Sequence, residues 1–107
     1  MATPIPRNAA AFTAGEIAAA TGGTLFDVEP ARALSEVSTD SRTVPAGALF
    51  VALVGEVHDA HRFASDTVAR GAVNLVAAGR GVAGPRIEVA DTLVALGDLA
   101  RHFVDRE

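Results

Sequence analysis

Apolar residues along this chain come in short bursts separated by glycine, proline and small polar residues. The most apolar burst is Ala48-Leu-Phe-Val-Ala-Leu-Val54, bounded by Gly47 and Gly55. That is strand length rather than helix length, so the pattern predicts a central strand buried on both faces. Val37-Ser-Thr39 reads as a strand that breaks at Asp40-Ser-Arg42, where short polar side chains offer the backbone local hydrogen bonds. Thr43-Val-Pro-Ala-Gly47 is turn chemistry. Ala72-Val-Asn-Leu-Val76 and Arg86-Ile-Glu-Val89 read as further strands, and Thr24-Leu-Phe26 as a short extended piece.

Three helices fit between these segments. Thr13-Ala-Gly-Glu16 has capping-box spacing and predicts a helix over about 14–20, which Gly22-Gly23 would end. Phe12 and Ile17 are spaced for a hydrophobic staple across its first turn. Asp59 is the expected N-cap of a helix over 61–70, with Phe63, Thr67 and Val68 or Ala64 facing the core and Gly71 as its stop. Asp91 should cap a last helix from Thr92 to about Val104, with Leu93, Leu96, Leu99 or Ala100, and Phe103 on one face. His102, beside that face, is expected at the surface or its boundary. Strand-helix-strand alternation over 48–76 favours a βαβ unit. The expected fold class is therefore α/β: one small domain, a mixed or mostly parallel sheet of about five strands, flanked by about three helices.

Composition narrows the functional classes. A chain of 107 residues suits a single domain with one core. Half of it is hydrophobic, which is too apolar for a disordered chain, yet no run is long enough to span a membrane. Residues 1–11 lack the apolar stretch of a secretory signal and are expected to be a flexible leader. Cysteine is absent, so disulfides and thiolate metal sites are excluded and a cytoplasmic location is expected. The net charge is −4 and no arginine stripe stands out, which argues against nucleic acid. All nine basic residues are arginines. Without lysine the chain can contain neither a phosphate-binding G-x-x-x-x-G-K-[ST] loop nor a catalytic lysine, so any ATP must be bound by another domain.

Several motifs carry competing readings. Gly79-Arg-Gly-Val-Ala-Gly84 matches the dinucleotide string G-x-G-x-x-G, but a dinucleotide site needs that string to open a helix, and Pro85 with an extended segment follows instead. It is read as a connecting loop. His58 and His61, with Asp59 and Glu56 nearby, have spacing compatible with two metal ligands but offer no clear third, so no metal is expected. Asp40 and Asp59 lie on different segments and are as well explained as turn and cap residues as by acid-base chemistry. Two polar loops at strand ends remain: Thr39-Asp-Ser-Arg42 and Gly55-Glu-Val-His-Asp-Ala-His61. In open α/β sheets, ligands collect at the carboxyl ends of strands, and a serine hydroxyl, an arginine fork and glycine-turn amides suit a diphosphate and a base. Taken alone, the same residues read more readily as structural turns, since turn residues are polar for local reasons as well.

At these residues the chain resembles a known family. Phe12-Thr-Ala-Gly-Glu-Ile-Ala-Ala-Ala-Thr-Gly-Gly23, Val37-Ser-Thr-Asp-Ser-Arg42, Pro45-Ala-Gly-Ala-Leu-Phe-Val-Ala-Leu-Val-Gly55, His58-Asp-Ala-His-Arg-Phe63, Ala69-Arg-Gly-Ala72 and Asp91-Thr92 follow in order. Together they look like the N-terminal domain of the Mur ligases, which bind UDP-N-acetylmuramoyl-peptides. The resemblance covers residues 12–104 and implies that 105–107 begin a linker to an ATP-binding domain. The early helix ending in Thr-Gly-Gly is most similar to the branch that adds D-alanyl-D-alanine to the UDP-muramoyl-tripeptide. The branch adding the third amino acid, diaminopimelate or lysine, comes next, and a stand-alone interaction module is the alternative of another class. The resemblance implies that ATP and magnesium are used in a central domain. It assigns this domain the UDP end of the substrate, no catalytic residue, no nucleic-acid or membrane partner, and a monomeric state. The residues implied to touch the uridine diphosphate are Ser41, Arg42, Glu56, Val57, His58, Asp59, Ala60 and His61. The family commonly has glycine where Ala60 stands and an acidic or polar residue where Arg62 stands.

Overall fold

The computed structural model of the chain describes residues 12–54 and 59–106. Residues 1–11, Gly55, Glu56, Val57, His58 and Glu107 lie outside the described residues, and with them the expected leader, most of the second loop and the end of the expected linker. Among the described residues, seven strands and three α-helices run in the order β1 (Phe12–Thr13), α1 (Ala14–Thr21), β2 (Thr24–Phe26), β3 (Ala33–Leu34), β4 (Val37–Ser38), β5 (Leu49–Val51), α2 (Ala64–Ala69), β6 (Val73–Ala77), β7 (Arg86–Val89) and α3 (Thr92–Arg106). Five strands form one mixed sheet in the order β2-β7-β6-β5-β4, parallel except for β2, which pairs antiparallel with β7. β1 and β3 form a separate antiparallel ribbon. The expected α/β architecture is present.

Strand alternation divides the core between the two faces of the sheet. Leu49 and Val51 of β5, Val73 and Leu75 of β6, and Ile87 and Val89 of β7 pack with Ile17 of α1 and Ala95, Leu99 and Phe103 of α3. The intervening Ala48, Phe50, Ala52, Ala72 and Val76 pack with Val44 on the other face, where Ala60 and Val82 join them. β5 is buried on both faces as its composition predicts, but the centre of the sheet belongs to β6. Position in a sheet follows from chain order and pairing, which an apolar run does not encode.

The caps read from the sequence are formed. Thr13 Oγ1 accepts the Glu16 N–H at 3.1 Å, and Phe12 and Ile17 are both fully buried beside it. The Glu16 carboxylate meets His102 Nε2 of α3 at 2.7 Å, which makes His102, at the boundary of the apolar face, a half-buried tie between α1 and α3. Gly22 adopts φ 70°, and the Gly23 N–H bonds the Ala18 carbonyl at 2.9 Å, the left-handed stop expected of that glycine pair. Asp91 Oδ1 accepts from the amides of Leu93 and Val94.

Two helix expectations need correction. Residues 60–69 are not one helix: a 3-10 turn over Ala60–Phe63 precedes α2. Leu93 does not face the core but is 68% exposed, while Ala95 takes the buried place. In the first turn of α3 the helix has just left the sheet edge, so its apolar period runs ahead of the packing surface.

The connection from β6 to β7 is short for neighbouring parallel strands, which ordinarily need a dozen or more residues between them. Residues 78–85 manage it with Gly79, Gly81 and Gly84 at φ 82°, 70° and 86°, backbone angles that other residues adopt only with strain. Val82 packs in the apolar cluster on that side of the sheet, and a Cβ on Gly84 would lie 3.1 Å from Val68 of α2.

Candidate functional site

The first loop is organised by Asp40. Its N–H donates to Ser38 Oγ at 3.1 Å at the end of β4, and its carbonyl accepts from Val44 N–H. Oδ1 accepts the Arg42 amide at 2.8 Å, and the Arg42 guanidinium grips both carboxylate oxygens, Nε to Oδ1 at 3.1 Å and Nη2 to Oδ2 at 3.2 Å. The guanidinium hydrogen bond, then the amide, hold the Asp40 carboxyl below its usual range. Arg42 is 86% exposed on its side chain, so the fork is held from one side and open to solvent on the other. Ser41 is half-buried between them and makes no hydrogen bond among the described residues.

The described part of the second loop is built around Asp59. Val54 and Asp59 form an isolated antiparallel bridge, and the Ala60 N–H returns to the Leu53 carbonyl at 2.9 Å. Asp59 Oδ1 accepts the His61 amide at 2.9 Å and His61 Nδ1 at 2.6 Å, while Oδ2 accepts from Arg80 of the glycine-rich connection. The His61 amide first, then Arg80, push the Asp59 carboxyl well below the ordinary carboxylate range. His61 is buried and its Nε2 lies 2.9 Å from the Ala77 N–H. A backbone amide can only donate, so Nε2 is the acceptor and Nδ1 carries the proton given to Asp59. The side chains of Asp59 and His61 are thus engaged within the protein, and Ala60 is half-buried in the turn they hold.

β4 and β5 are adjacent and parallel, with Val37 opposite Leu49 and Ser38 opposite Phe50, so both loops leave the same edge of the sheet. Ser41 and Arg42 line a cavity of about 490 Å³ with Phe63, Asp66, Ala69 and Arg70, residues of the helical segment that the second loop feeds. Asp66 is not marked by the sequence, and Phe63, Ala69 and Arg70, though within the stretches that carry the resemblance, are not among the contacts it implies. Their spacing, one face of a helix next to a polar loop, is the signal that could have drawn them in. Arg80, in the middle of the glycine string, is a further residue that fixes the second loop, through Asp59, and the string itself does not announce it.

The competing motifs resolve. The glycine-rich segment leads into β7 and not into a helix, so it lacks the helix N-terminus a dinucleotide site requires. Asp40 and Asp59 each pair with an arginine and lie on separate loops. Among the described residues no group of three His, Asp or Glu could hold a metal ion; His58 and Glu56 lie outside them. Among the described residues no helix is long and apolar enough to cross a membrane.

No family model matches the chain. It is 37% identical over 75 residues to the UDP-N-acetylmuramoyl-tripeptide–D-alanyl-D-alanine ligase of Haemophilus influenzae, an alignment covering 68% of this chain and 16% of that protein. It is 42% identical over 71 residues to the UDP-N-acetylmuramoyl-L-alanyl-D-glutamate–2,6-diaminopimelate ligase of Listeria monocytogenes, covering 65% of this chain and 14% of that one. Among solved structures, MurF from Acinetobacter baumannii superposes with a TM-score of 0.74 at 36% identity, over 83% of this chain and 20% of that chain. The chain thus spans about a sixth of the length of the curated relatives it matches. Sequence and fold agree, and the chain belongs to the Mur ligase family, with the structure of its N-terminal domain.

Proposed function

We propose that this chain is the substrate-docking domain of an ATP-dependent peptidoglycan-precursor ligase. In this reading it holds the UDP end of UDP-N-acetylmuramoyl-tripeptide while D-alanyl-D-alanine is added. The observation that carries it is the delivery of two polar loops to one sheet edge by neighbouring parallel strands, in a fold shared with MurF. Ligand capture at the carboxyl ends of parallel strands is the general habit of such sheets. Ser41 and Arg42 from the first loop, and Glu56, Val57, His58, Asp59, Ala60 and His61 from the second, form the docking surface. Asp59 and His61 contribute by fixing the loop's shape.

The ligation itself belongs elsewhere. A chain without lysine has no phosphate-gripping P-loop, so ATP and magnesium act in a central domain outside this sequence, and no catalytic residue is assigned here. The whole enzyme works as a monomer in the cytoplasm, building cell wall. A domain that grips the UDP end does not read the peptide, and the similarity to the diaminopimelate ligase of Listeria keeps that branch as the second reading. Assaying the full-length enzyme with D-alanyl-D-alanine and with diaminopimelate separates the two.

The docking reading is tested by titrating the chain with UDP-N-acetylmuramoyl-tripeptide and following amide shifts. The expected shifts gather at Ser41, Arg42 and residues 55–61. Shifts confined to residues 79–84 would overturn it.

A further inference from the structure

We propose that Arg70 contacts the diphosphate, completing with Ser41 and Arg42 an anion seat on the wall of the cavity between the first loop and α2. This rests on the docking reading and gives Arg70 a contact that the resemblance does not assign to it. Arg70 stands at the C-terminal end of α2, exposed, and its Nη1 donates to the Arg42 carbonyl at 3.2 Å. That single bond orients the guanidinium beside the first loop and leaves its other donors open. Arg70 forms no direct ion pair among the described residues, although its charge reaches the Asp40 carboxylate that Arg42 grips. Asp40 and Asp66 balance the two guanidiniums in net charge, so Arg70 contributes an open hydrogen-bonding fork beside the loop and not a surplus of charge. Guanidinium forks suit phosphate oxygens because two parallel N–H groups meet two acceptors.

The remaining lining fits this assignment. The hydroxyl of Ser41 has no partner among the described residues and can donate to the same anion. Asp66, one helical turn before Arg70, lies on the same wall and opposes an anion, so the phosphates sit toward the loop side. A volume of about 490 Å³ leaves space beyond a diphosphate for what it is attached to. The seat also explains how two separate loops share one ligand, since α2 begins where the second loop ends and closes on the first.

The test is calorimetric titration of the chain with inorganic pyrophosphate and with UDP, with amide shifts read in parallel. Wild type should bind both, with shifts at Ser41, Arg42 and Arg70. Arg70→Ala should weaken both about tenfold or more, as expected for a lost charge-assisted hydrogen bond. Asp66→Asn, which leaves the Arg70–Arg42 bond in place, should tighten pyrophosphate. Arg70→Ala binding both ligands as wild type does, while UDP still shifts both loops, would overturn the seat and leave the docking reading standing. Pyrophosphate binding that depends on Arg70, with no UDP shift at residues 55–61, would leave the seat and remove the docking reading.

Discussion

At the scale of single residues, Asp59 does the most. It caps the 3-10 turn, accepts from both nitrogens offered by His61, and pairs with Arg80 across the sheet edge. Its folded carboxyl is depressed, so the stabilisation it brings is present above the pKa of an unfolded aspartate, about 3.9, and is lost as pH falls through the lower folded value. Asp59→Asn should therefore be less stable than wild type at neutral pH, with the gap closing on acidification below about pH 4. Urea unfolding at a series of pH values measures it; a gap that does not vary with pH would show that the carboxylate's charge is irrelevant. The sequence marked Asp59 as a cap because an aspartate before a helical run has that local job. Its bond to Arg80 is a contact between residues far apart in the chain, and no local pattern carries it. His61 stands out in the sequence for its chemistry, whereas its burial and its bond to the Ala77 amide, which hold the loop's shape, have no local signature.

At the scale of elements, the buried polar pair Thr67 and Asn74 fixes α2 against β6. Asn74 Nδ2 donates to the Ala64 carbonyl at 3.0 Å, and Thr67 Oγ1 lies 2.6 Å from Asn74 Oδ1, both residues fully buried. Thr67→Val keeps the volume but leaves the Asn74 oxygen without its donor in the core, at a cost of about 1–3 kcal/mol. A lower urea midpoint with unchanged slope is the expected signature. An unaltered midpoint would mean that Asn74 finds another donor. Helices and strands of this kind were legible because each carries its own start or stop: Thr13, Asp91, Gly22, Gly71. What was not legible was the β1–β3 ribbon, two residues a side, since such short pairing leaves no periodicity to read. The split of 60–69 into two helical forms was hidden for a similar reason: their apolar spacings differ by less than one turn reveals.

At the scale of the molecule, the fold class followed from the order of elements, but the strand order did not. β6 carries a polar Asn74 and so looks less central than β5, although it holds the middle of the sheet. The two loops could be matched to each other only once β4 and β5 proved to be neighbours. The glycine-rich connection has the widest reach of the features described. Through Arg80 it is fastened to Asp59, and through His61 and Ala77 the same aspartate is tied to the end of β6. The loops leaving β5 and β6 therefore form one opening unit: neither can lift from the sheet edge without breaking the clasp that holds the other. In hydrogen exchange, the amides of Ala60, His61 and Ala77 should share a single opening free energy, and Asp59→Asn should split them into separate values. A ligand gripped by one loop would then slow exchange in both, without touching the second at all.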